Sequence, residues 1–493
     1  MRPEEDLQKV HQRRKNRESL LETLESIVVA FVLAFIFRAF IVEAFVIPTG
    51  SMAPTLYGAH AEFKCECGYE FAVGVEGRLV RAPVCPNCFL EQTVPERTTV
   101  FSGDRLLVLK YLYDFQPPQR WDVIVFHNPN DPSQNYIKRL IALPDETLEL
   151  VDGNITINGR IAHKTDVAQE ALWMVVHDTR NRPTRRGWEP RWLADSEWKV
   201  RDAGYVLEKV PEGPKAAWLT YRHRNGQGRP ANITDFYAYN TGGSDSRTLP
   251  VVVTDLGLHS RVTVMSPASV VVAEMRAYKD RFKFELSSKG SDQPCRIWIN
   301  DKLVAHGAGG ALPVGRAADI EVANVDHKVM LLVDGARVAR ETAFETTPEG
   351  DVTYEPRHLT QEERDRYNDP PDEDLRHMAA EVRIGVRGGP AKFAYLRLDR
   401  DVYYLNEDIH GGRIVQEPGR ASQGNPFHLE AGEYFVCGDN SPKSFDSRLW
   451  GLDRPVVPER NLVGKAFFVY WPSAGWRYGI PVAPDPTGWR LVH

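Results

Sequence analysis

The stretch Ile47–Pro54 (IPTGSMAP) ends a hydrophobic run that extends from about Ile27 to Val46. Proline and glycine favour turns, so Ser51 is expected on a stiff loop directly after this run. The most apolar part, Ile27–Val42, would rise about 24 Å as a helix, slightly less than the roughly 30 Å hydrocarbon layer of a bilayer. We therefore predict a transmembrane helix over residues 27–47, with Ser51 at a membrane surface.

Basic residues before the run set its predicted orientation. Arg13, Arg14, Lys15 and Arg17 precede it, and positive charge favours the cytoplasmic side. We therefore expect a single-pass protein of the cell membrane, in contact with lipid, with residues 1–26 in the cytoplasm and the remainder outside. A cleavable secretory signal is the alternative, but cleavage at the end of the run would detach the Ser51 loop from its anchor.

The composition indicates a large folded region and excludes one class of partner. Hydrophobic residues make up 42% and charged residues 26% of the 493 residues, which is typical of globular protein and suggests two or three cores. The net charge of -6 and the absence of a basic stripe argue against nucleic acid as a partner.

Four further stretches carry the recognisable pattern. The runs Phe101–Lys110, Arg120–Phe126 and Tyr136–Pro144 are rich in β-branched and aromatic residues and are bounded by turn formers, which predicts antiparallel strands. Gly438–Gly451 (GDNSPKSFDSRLWG) is too rich in turn formers and polar residues for a plain strand. These stretches are expected to form one site with the serine loop.

In this order the motifs resemble those of type I signal peptidases, the membrane-bound serine endopeptidases that remove signal peptides from exported precursor proteins. The resemblance implies a mainly β fold with an antiparallel catalytic core, here formed by residues 48–159 and 401–493. It also implies cleavage at the outer membrane face, after small residues at the first and third positions before the cut. The implied partners are exported precursors that carry signal peptides.

The chemistry of the site follows from two side chains. A serine hydroxyl becomes a strong nucleophile only when a base removes its proton, and a lysine amine does so only when neutral. Apolar neighbours lower the pKa of a lysine, and Lys138 lies in a strand between Ile137 and Leu140. We predict that Ser51 is the nucleophile and Lys138 the general base. Lys110 is the rival base.

The resemblance implies roles for further residues. Ser444 matches a serine that orients the lysine amine, and the Thr49 hydroxyl and the Ser51 N–H match the donors to the oxyanion. Asp446 and Arg448 match a pair that braces the site, and Asp439 lies in the same segment, so a structural role is expected for all three. No cofactor is expected for catalysis.

Four cysteines in residues 58–100 depart from the family pattern. Cys65 and Cys67 form one close pair, and Cys85 and Cys88 form another. Four thiolates on two tight turns predict a structural zinc site that resembles a zinc ribbon, with no open position for catalysis. Two disulfides are the alternative, because the predicted location is extracytoplasmic.

A second departure is an insertion of about 240 residues, from residue 160 to residue 400. From about residue 245, short strand-like runs separated by turns predict a β-sandwich of the jelly-roll kind, similar to laminin-G or concanavalin-like domains. Such a domain could bind a glycan or a protein, or act as a spacer.

Two other functions fit parts of this pattern. A membrane-anchored, non-catalytic recognition protein would use the inserted sandwich for binding and keep the peptidase core as a relic. The intact Ser51, Lys138 and Ser444 argue against that interpretation. A self-cleaving protease of the repressor kind shares the chemistry but lacks an anchor and carries a DNA-binding segment.

Overall fold

The structure of the chain is a computed structural model, which describes 22–33, 35, 41–75, 82–95, 98–184, 188–211, 213, 215–242, 251–288, 292–368, 378–404, 407–410, 413–418, 420–451, 453–471, 476–477, 480–481 and 489–493. Most of the predicted cytoplasmic segment, residues 1–21, lies outside the described residues.

The described chain is mainly β, as the sequence predicted. Its first block contains helices α1 at 22–33 and α2 (Leu112–Phe115) and strands β1 (Val42–Val46), β2 (His60–Lys64), β3 (Glu70–Gly74), β4 (Val100–Phe101), β5 (Arg105–Leu109), β6 (Val123–Asn128), β7 (Asp131–Ala142), β8 (Thr147–Val151), β9 (Asn154–Ile157) and β10 (Arg160–Ile161). Its second block contains helices α3 (Asp166–Leu172) and α4 (Gln361–Asn368) and strands β11 (Met174–Asp178), β12 (Trp192–Ala194), β13 (Trp198–Arg201), β14 (Gly204–Leu207), β15 (Ala217–Tyr221), β16 (Leu256–Val264), β17 (Val270–Ala277), β18 (Asp280–Ser287), β19 (Cys295–Ile299), β20 (Lys302–Gly307), β21 (Ala317–Val325), β22 (Lys328–Val333), β23 (Ala336–Arg337), β24 (Val352–Thr353), β25 (Ala380–Arg387) and β26 (Ala391–Arg400). The third block contains β27 (Glu407–His410), β28 (Arg413–Pro418), β29 (Phe427–His428), β30 (Glu433–Cys437), β31 (Val457–Pro458), β32 (Leu462–Trp471), β33 (Trp476–Arg477), β34 (Ile480–Pro481) and β35 (Arg490–Leu491). Short 3-10 turns lie at Gly50–Met52, Ala238–Gly242, Ser441–Lys443 and Glu459–Asn461.

One eight-stranded sheet, which we call the core sheet, joins the first and third blocks. Its order is β1-β5-β32-β6-β7-β30-β31, and β35 pairs with β32. Successive side chains of β6 point to opposite faces, and both faces are covered: Val123 and Val125 pack into one cluster, Ile124 and Phe126 into another. The strands on either side of the insertion therefore build a single core.

The predicted transmembrane helix over 27–47 is wrong at its C-terminal end. Residues Val42–Val46 form strand β1, which pairs antiparallel with β5 so that Ala44 lies opposite Leu107. Glu43 also forms an ion pair with Lys110 at 3.1 Å. The valine and phenylalanine side chains of β1 favour extended backbone, and the neighbouring strand supplies hydrogen bonds that an isolated segment lacks.

Helix α1 exposes its apolar side chains. Six of them are between 46% and 61% exposed: Ile27, Val28, Val29, Phe31, Val32 and Leu33. Within the residues that the structure describes, no helix has both the length and the apolar character needed to cross a bilayer.

The second block forms a two-layered β-sandwich. A nine-stranded sheet, β13-β14-β26-β16-β21-β22-β23 with β11 on β26 and β24 on β22, faces a seven-stranded sheet, β12-β15-β25-β17-β18-β19-β20. Alternate side chains of β16, such as Leu256 and Leu258, meet side chains of the other sheet, such as Phe282 and Ile384, in one core. The predicted sandwich is therefore present.

This sandwich starts earlier in the chain than residue 245. Strands β12 to β15, which precede residue 245, are edge and inner strands of both layers. Trp192 and Trp198 pack into the sandwich core, which explains the density of tryptophan in this stretch. Two smaller sheets are also present: β3-β2-β4, whose strands lie between β1 and β5 in the chain order, and β10-β9-β8-β29, whose strands lie before and after the sandwich.

Candidate active site

Ser51 lies on the 3-10 turn Gly50–Met52, shortly after the edge strand β1. The loop is anchored on both sides of the serine. Before it, the Ile47 N–H donates to the Asp104 main-chain oxygen at 2.9 Å; after it, Met52 and Leu56 are fully buried. The serine is therefore held at the surface of a packed core.

Lys138 reaches Ser51 from the interior of the core sheet. It lies on β7 opposite Ile124 of β6, and its Nζ is 2.7 Å from Ser51 Oγ. The amine also donates to the main-chain oxygen of Ile137 at 3.0 Å. Two residues 87 positions apart in the sequence thus have the hydrogen-bond contact that a nucleophile and its base require.

The electrostatic environment favours the neutral amine. Only 4% of the Lys138 surface is exposed, and this burial lowers its pKa to about 8. The carboxylates of Asp446 and Asp439 oppose the effect, and the Arg448 charge adds to it. Because removal from water penalises the charged form, the lowered pKa is the direct result of the burial of the amine.

Lys110, the rival base, is elsewhere. Its Nζ forms the ion pair with Glu43 on the edge strand, and a third of the side chain is exposed.

Ser444 follows the turn Ser441–Lys443 and is buried beside the serine loop. A Cβ placed on Gly438 would lie 2.2 Å from Ser444 Oγ and 2.3 Å from the Ser51 main-chain oxygen, so Gly438 separates the two serines by the smallest possible residue. Within the described residues, Ser444 Oγ forms no hydrogen bond of standard geometry, but its hydroxyl lies close enough to Asp446 to help lower the pKa of that carboxyl. Its predicted role in orienting the amine stays a prediction.

Thr49 is exposed on extended backbone immediately before the 3-10 turn. Its hydroxyl makes no capping hydrogen bond to that turn. The Thr49 hydroxyl is therefore not engaged in capping, and its predicted role as an oxyanion donor stays a prediction.

Two buried ion pairs brace the segment Gly438–Arg448. Arg448 donates two hydrogen bonds to Asp446, at 2.8 and 2.7 Å, and Arg139 donates two to Asp439, both at 2.7 Å. Burial raises the pKa of Asp446, but the Arg448 guanidinium outweighs burial and holds that pKa below its usual value. Two parallel hydrogen bonds between a guanidinium and a carboxylate pair the two charges and also fix the relative orientation of the two side chains.

Asp439 also connects this segment to the serine loop, since Thr55 Oγ1 donates to its Oδ2 at 2.6 Å. Arg139, which sequence reasoning missed, follows Lys138 directly and is fully buried. An arginine inside an apolar strand needs a buried carboxylate, and that requirement was the signal available in the sequence.

The four predicted cysteines converge in one cluster. Their sulfur atoms lie within 4.8 Å of one another, with 3.5 Å between Cys65 and Cys88 and 3.8 Å between Cys67 and Cys85. Four sulfurs about 2.3 Å from a central Zn²⁺ would be about 3.8 Å apart, whereas a disulfide needs about 2.05 Å. The cluster could therefore hold a metal ion.

Three carboxylates, Asp255, Asp326 and Asp401, also converge. Lys164 lies among them, and its Nζ donates to Asp326 and Asp401, each at 2.7 Å. Burial lowers the pKa of Lys164, but the two carboxylates outweigh it and raise that pKa above its usual value. The cluster is thus a buried ion network in which the Lys164 amine offsets part of the negative charge.

Comparison with known proteins agrees with the resemblance drawn from the motifs. Residues 92–183 and 388–471 match the family model "Signal peptidase, peptidase S26". The two matched blocks flank the inserted sandwich and contain Lys138, Ser444 and both buried ion pairs. Ser51 lies before the first block.

Individual relatives carry the same description. The chain is 31% identical over 206 residues to signal peptidase I of Pseudomonas fluorescens. The matched region covers 39% of this chain and 60% of that protein. The chain is also 32% identical over 148 residues to signal peptidase I of Leptolyngbya laminosa. That matched region covers 29% of this chain and 51% of that protein. The chain thus spans between half and two thirds of the length of these relatives.

Among solved structures, the carbohydrate-binding module CBM66 from Bacillus subtilis covers 41% of this chain and 91% of its own, at 9% identity and a TM-score of 0.24. A Bacillus subtilis protein with a galectin-like fold covers 47% of this chain and 98% of its own, at 7% identity and a TM-score of 0.27.

Proposed function

We propose that this protein is a signal peptidase I that cleaves signal peptides from exported precursor proteins with a Ser51–Lys138 dyad. The observation that carries the proposal is the 2.7 Å contact between Ser51 Oγ and a buried Lys138 amine. The matched family blocks and the similar curated relatives support it.

In the proposed acylation step, neutral Lys138 accepts the Ser51 proton as Oγ attacks the scissile carbonyl carbon. The negative charge that develops on the carbonyl oxygen is stabilised by the Ser51 N–H and the Thr49 hydroxyl. When the tetrahedral intermediate collapses, the C–N bond breaks and the Lys138 ammonium protonates the departing amine. The products are a Ser51 ester and the mature protein with a new N-terminus.

In the proposed deacylation step, Lys138 is neutral again and accepts a proton from water as the water attacks the ester. Collapse of the second intermediate breaks the C–O bond to Ser51, and Oγ regains a proton from Lys138. Each step uses the same 2.7 Å pair, so no further acid or base is needed. We propose Ser444 as the residue that orients the amine.

We further propose that α1 contacts membrane lipid and that the catalytic core lies on the extracytoplasmic side. The exposed apolar side chains of α1 support this placement, because such a surface is unfavourable in water. Signal peptides themselves contain an apolar segment, so substrate and enzyme would meet at the bilayer surface. The preference for small residues before the cut is carried over from the family resemblance.

We propose structural zinc at Cys65, Cys67, Cys85 and Cys88. All four positions of a tetrahedral ion would be filled by thiolates, so the metal would stabilise this unit and take no part in the chemistry. The predicted glycan or protein ligand of the sandwich stays a prediction.

The test is cleavage of a precursor with an Ala-x-Ala site by the detergent-solubilised full chain. Ser51→Ala and Lys138→Ala should each abolish processing, while Lys110→Ala, a matched lysine outside the site, should process at nearly the wild-type rate. Equal processing by all four proteins would refute the dyad. No processing by any of them, where a control peptidase succeeds, would refute the proposed function and leave the recognition alternative.

A further inference from the structure

The inserted domain reaches into the candidate active site. The segment Phe236–Gly242, which leaves the sandwich before β16, packs directly on the serine loop. The Tyr239 ring fills the space above Gly50 and Gly74: a Cβ on these glycines would lie 2.0 and 2.5 Å from the ring. The Tyr239 hydroxyl donates to the main-chain oxygen of Ala59 at 3.2 Å.

The next residue of this segment forms a reciprocal amide pair with the segment Gly438–Arg448. Asn240 Nδ2 donates to Asn440 Oδ1 at 2.7 Å, and Asn440 Nδ2 donates to Asn240 Oδ1 at 2.8 Å. Two hydrogen bonds between planar groups fix the plane and the direction of both amides. Asn440 is almost fully buried, so this pair determines which of its atoms points to the serine loop.

Asn440 holds the two main-chain carbonyls on either side of the nucleophile. Its Nδ2 donates to the Gly50 oxygen at 2.9 Å, and its backbone N–H donates to the Ser51 oxygen at 3.0 Å. The Gly50 carbonyl and the Ser51 N–H belong to one planar peptide unit. A hydrogen bond that fixes the carbonyl therefore also fixes the direction of the N–H that would face the oxyanion.

The segment is itself held from its far side. The buried Arg400 guanidinium, at the end of β26, donates to the main-chain oxygens of Asp235 and Phe236, both at 3.0 Å. The Phe236 ring contacts the Phe89 ring, directly after the second cysteine pair, with centroids 5.1 Å apart. The sandwich and the cysteine unit thus set the position of Asn240.

We infer that Asn240 is a positioning residue, supplied by the inserted domain, that acts through Asn440 to aim the Gly50–Ser51 peptide at the oxyanion of the reaction. The inference rests on the proposed function. A sandwich that supplies Asn240 contributes to catalysis, which a spacer would not do. The contribution can be large, because a misplacement of about 1 Å at a reacting centre can cost about a hundredfold in rate.

The test compares two asparagines of the same insertion whose side-chain amides both form two hydrogen bonds, in the full chain. Asn240→Ala should lower kcat about ten- to a hundredfold and change KM by less than about threefold. The matched control is Asn232→Ala, since Asn232 bonds only to the Tyr367 oxygen and the Ala379 N–H among the described contacts, at 2.6 and 2.9 Å. Asn232→Ala should lower the unfolding temperature and leave kcat within about twofold of the wild-type value.

A double-mutant cycle separates positioning from general damage. If Asn240 acts through Asn440, the double variant Asn240→Ala/Asn440→Ala should have the kcat of Asn440→Ala alone. Multiplying losses would overturn the inference, as would an Asn240→Ala kcat equal to that of Asn232→Ala. Should Asn240→Ala fail to fold, Asn240→Asp keeps the volume, removes the donor to Asn440 Oδ1 and should show the same loss of kcat.

The variants Asn240→Ala and Ser51→Ala also test the role of Asn240 and the peptidase assignment separately. Inactive Ser51→Ala together with fully active Asn240→Ala would reject the role of Asn240 and leave the peptidase assignment intact. Active Ser51→Ala would reject the peptidase assignment itself.

Discussion

The pH dependence of cleavage follows from the buried amine. With a pKa of about 8, Lys138 is neutral in about one tenth of the molecules at pH 7, half at pH 8 and nine tenths at pH 9. If the neutral amine is the base, kcat/KM should rise about tenfold from pH 7 to pH 9 and then level off. A lysine at its ordinary pKa of 10.5 would be neutral in only about 0.03% of molecules at pH 7, so burial increases the reactive form about three hundredfold.

The assay measures kcat/KM in detergent on an N-acetylated peptide with an Ala-x-Ala site and no group that titrates between pH 7 and pH 10. Lys110→Ala is the matched control and should keep the wild-type profile. Lys138→Arg should be inactive throughout, because arginine stays protonated at these pH values. A flat profile from pH 7 to pH 9, or a rise that continues to pH 10.5, would refute the reasoning.

Four further predictions follow from the same contacts. Thr49→Val should lower kcat about 10²- to 10³-fold without lowering the unfolding temperature, whereas Thr49→Ser should stay active. Arg139→Met should destabilise the chain by about 3–5 kcal/mol in urea unfolding, because it leaves the Asp439 carboxylate buried without its partner, and adding Asp439→Leu should restore part of the loss. Metal analysis of protein prepared without added metal should find one zinc per chain, and Cys88→Ser should lose it; zinc-free protein with two disulfides would contradict the site. Because the Lys138 pKa is lower in the folded than in the unfolded state, stability rises between pH 8 and pH 10.5, so Lys138→Met should raise the unfolding temperature at pH 7 and have little effect at pH 10.5.

The contact between Ser51 and Lys138 could be predicted because the ordered motifs resemble those of a known family and the chemistry of the two side chains fits a nucleophile and its base. A serine on a Pro/Gly loop and a lysine among apolar strand residues are each unremarkable alone, but together they form a nucleophile and a base with a lowered pKa. The cysteine cluster could also be predicted from the sequence, because the spacing within each cysteine pair sets the geometry of the turn that holds its two thiols.

Strand β1 was missed because hydrophobicity alone does not distinguish a membrane helix from a buried or edge strand. Residues Val42–Val46 continue the apolar run with Glu43 as their charged residue, and the partner strand β5, about 60 positions later, settles their conformation. Strands β12 to β15 were missed for a similar reason. Their side chains become an inner face only when the second half of the sandwich covers them.

The pair of Asn240 and Asn440 had no local signal at all. An asparagine in a polar segment is usually a turn former, and these two lie 200 positions apart. Only the fold brings the inserted segment onto the loop that carries Ser51. Residues that position a site from another domain are therefore the part of a site that sequence reasoning is least able to find.

The pKa of Lys138, measured by NMR on full chain labelled with ¹³C at the lysine Cε, tests whether a buried neutral amine can serve as the base. Comparison with the Lys138→Arg spectrum assigns its resonance. We expect the Lys138 signal to titrate near pH 8, apart from the other lysines. Titration near pH 10.5 would contradict the proposed mechanism.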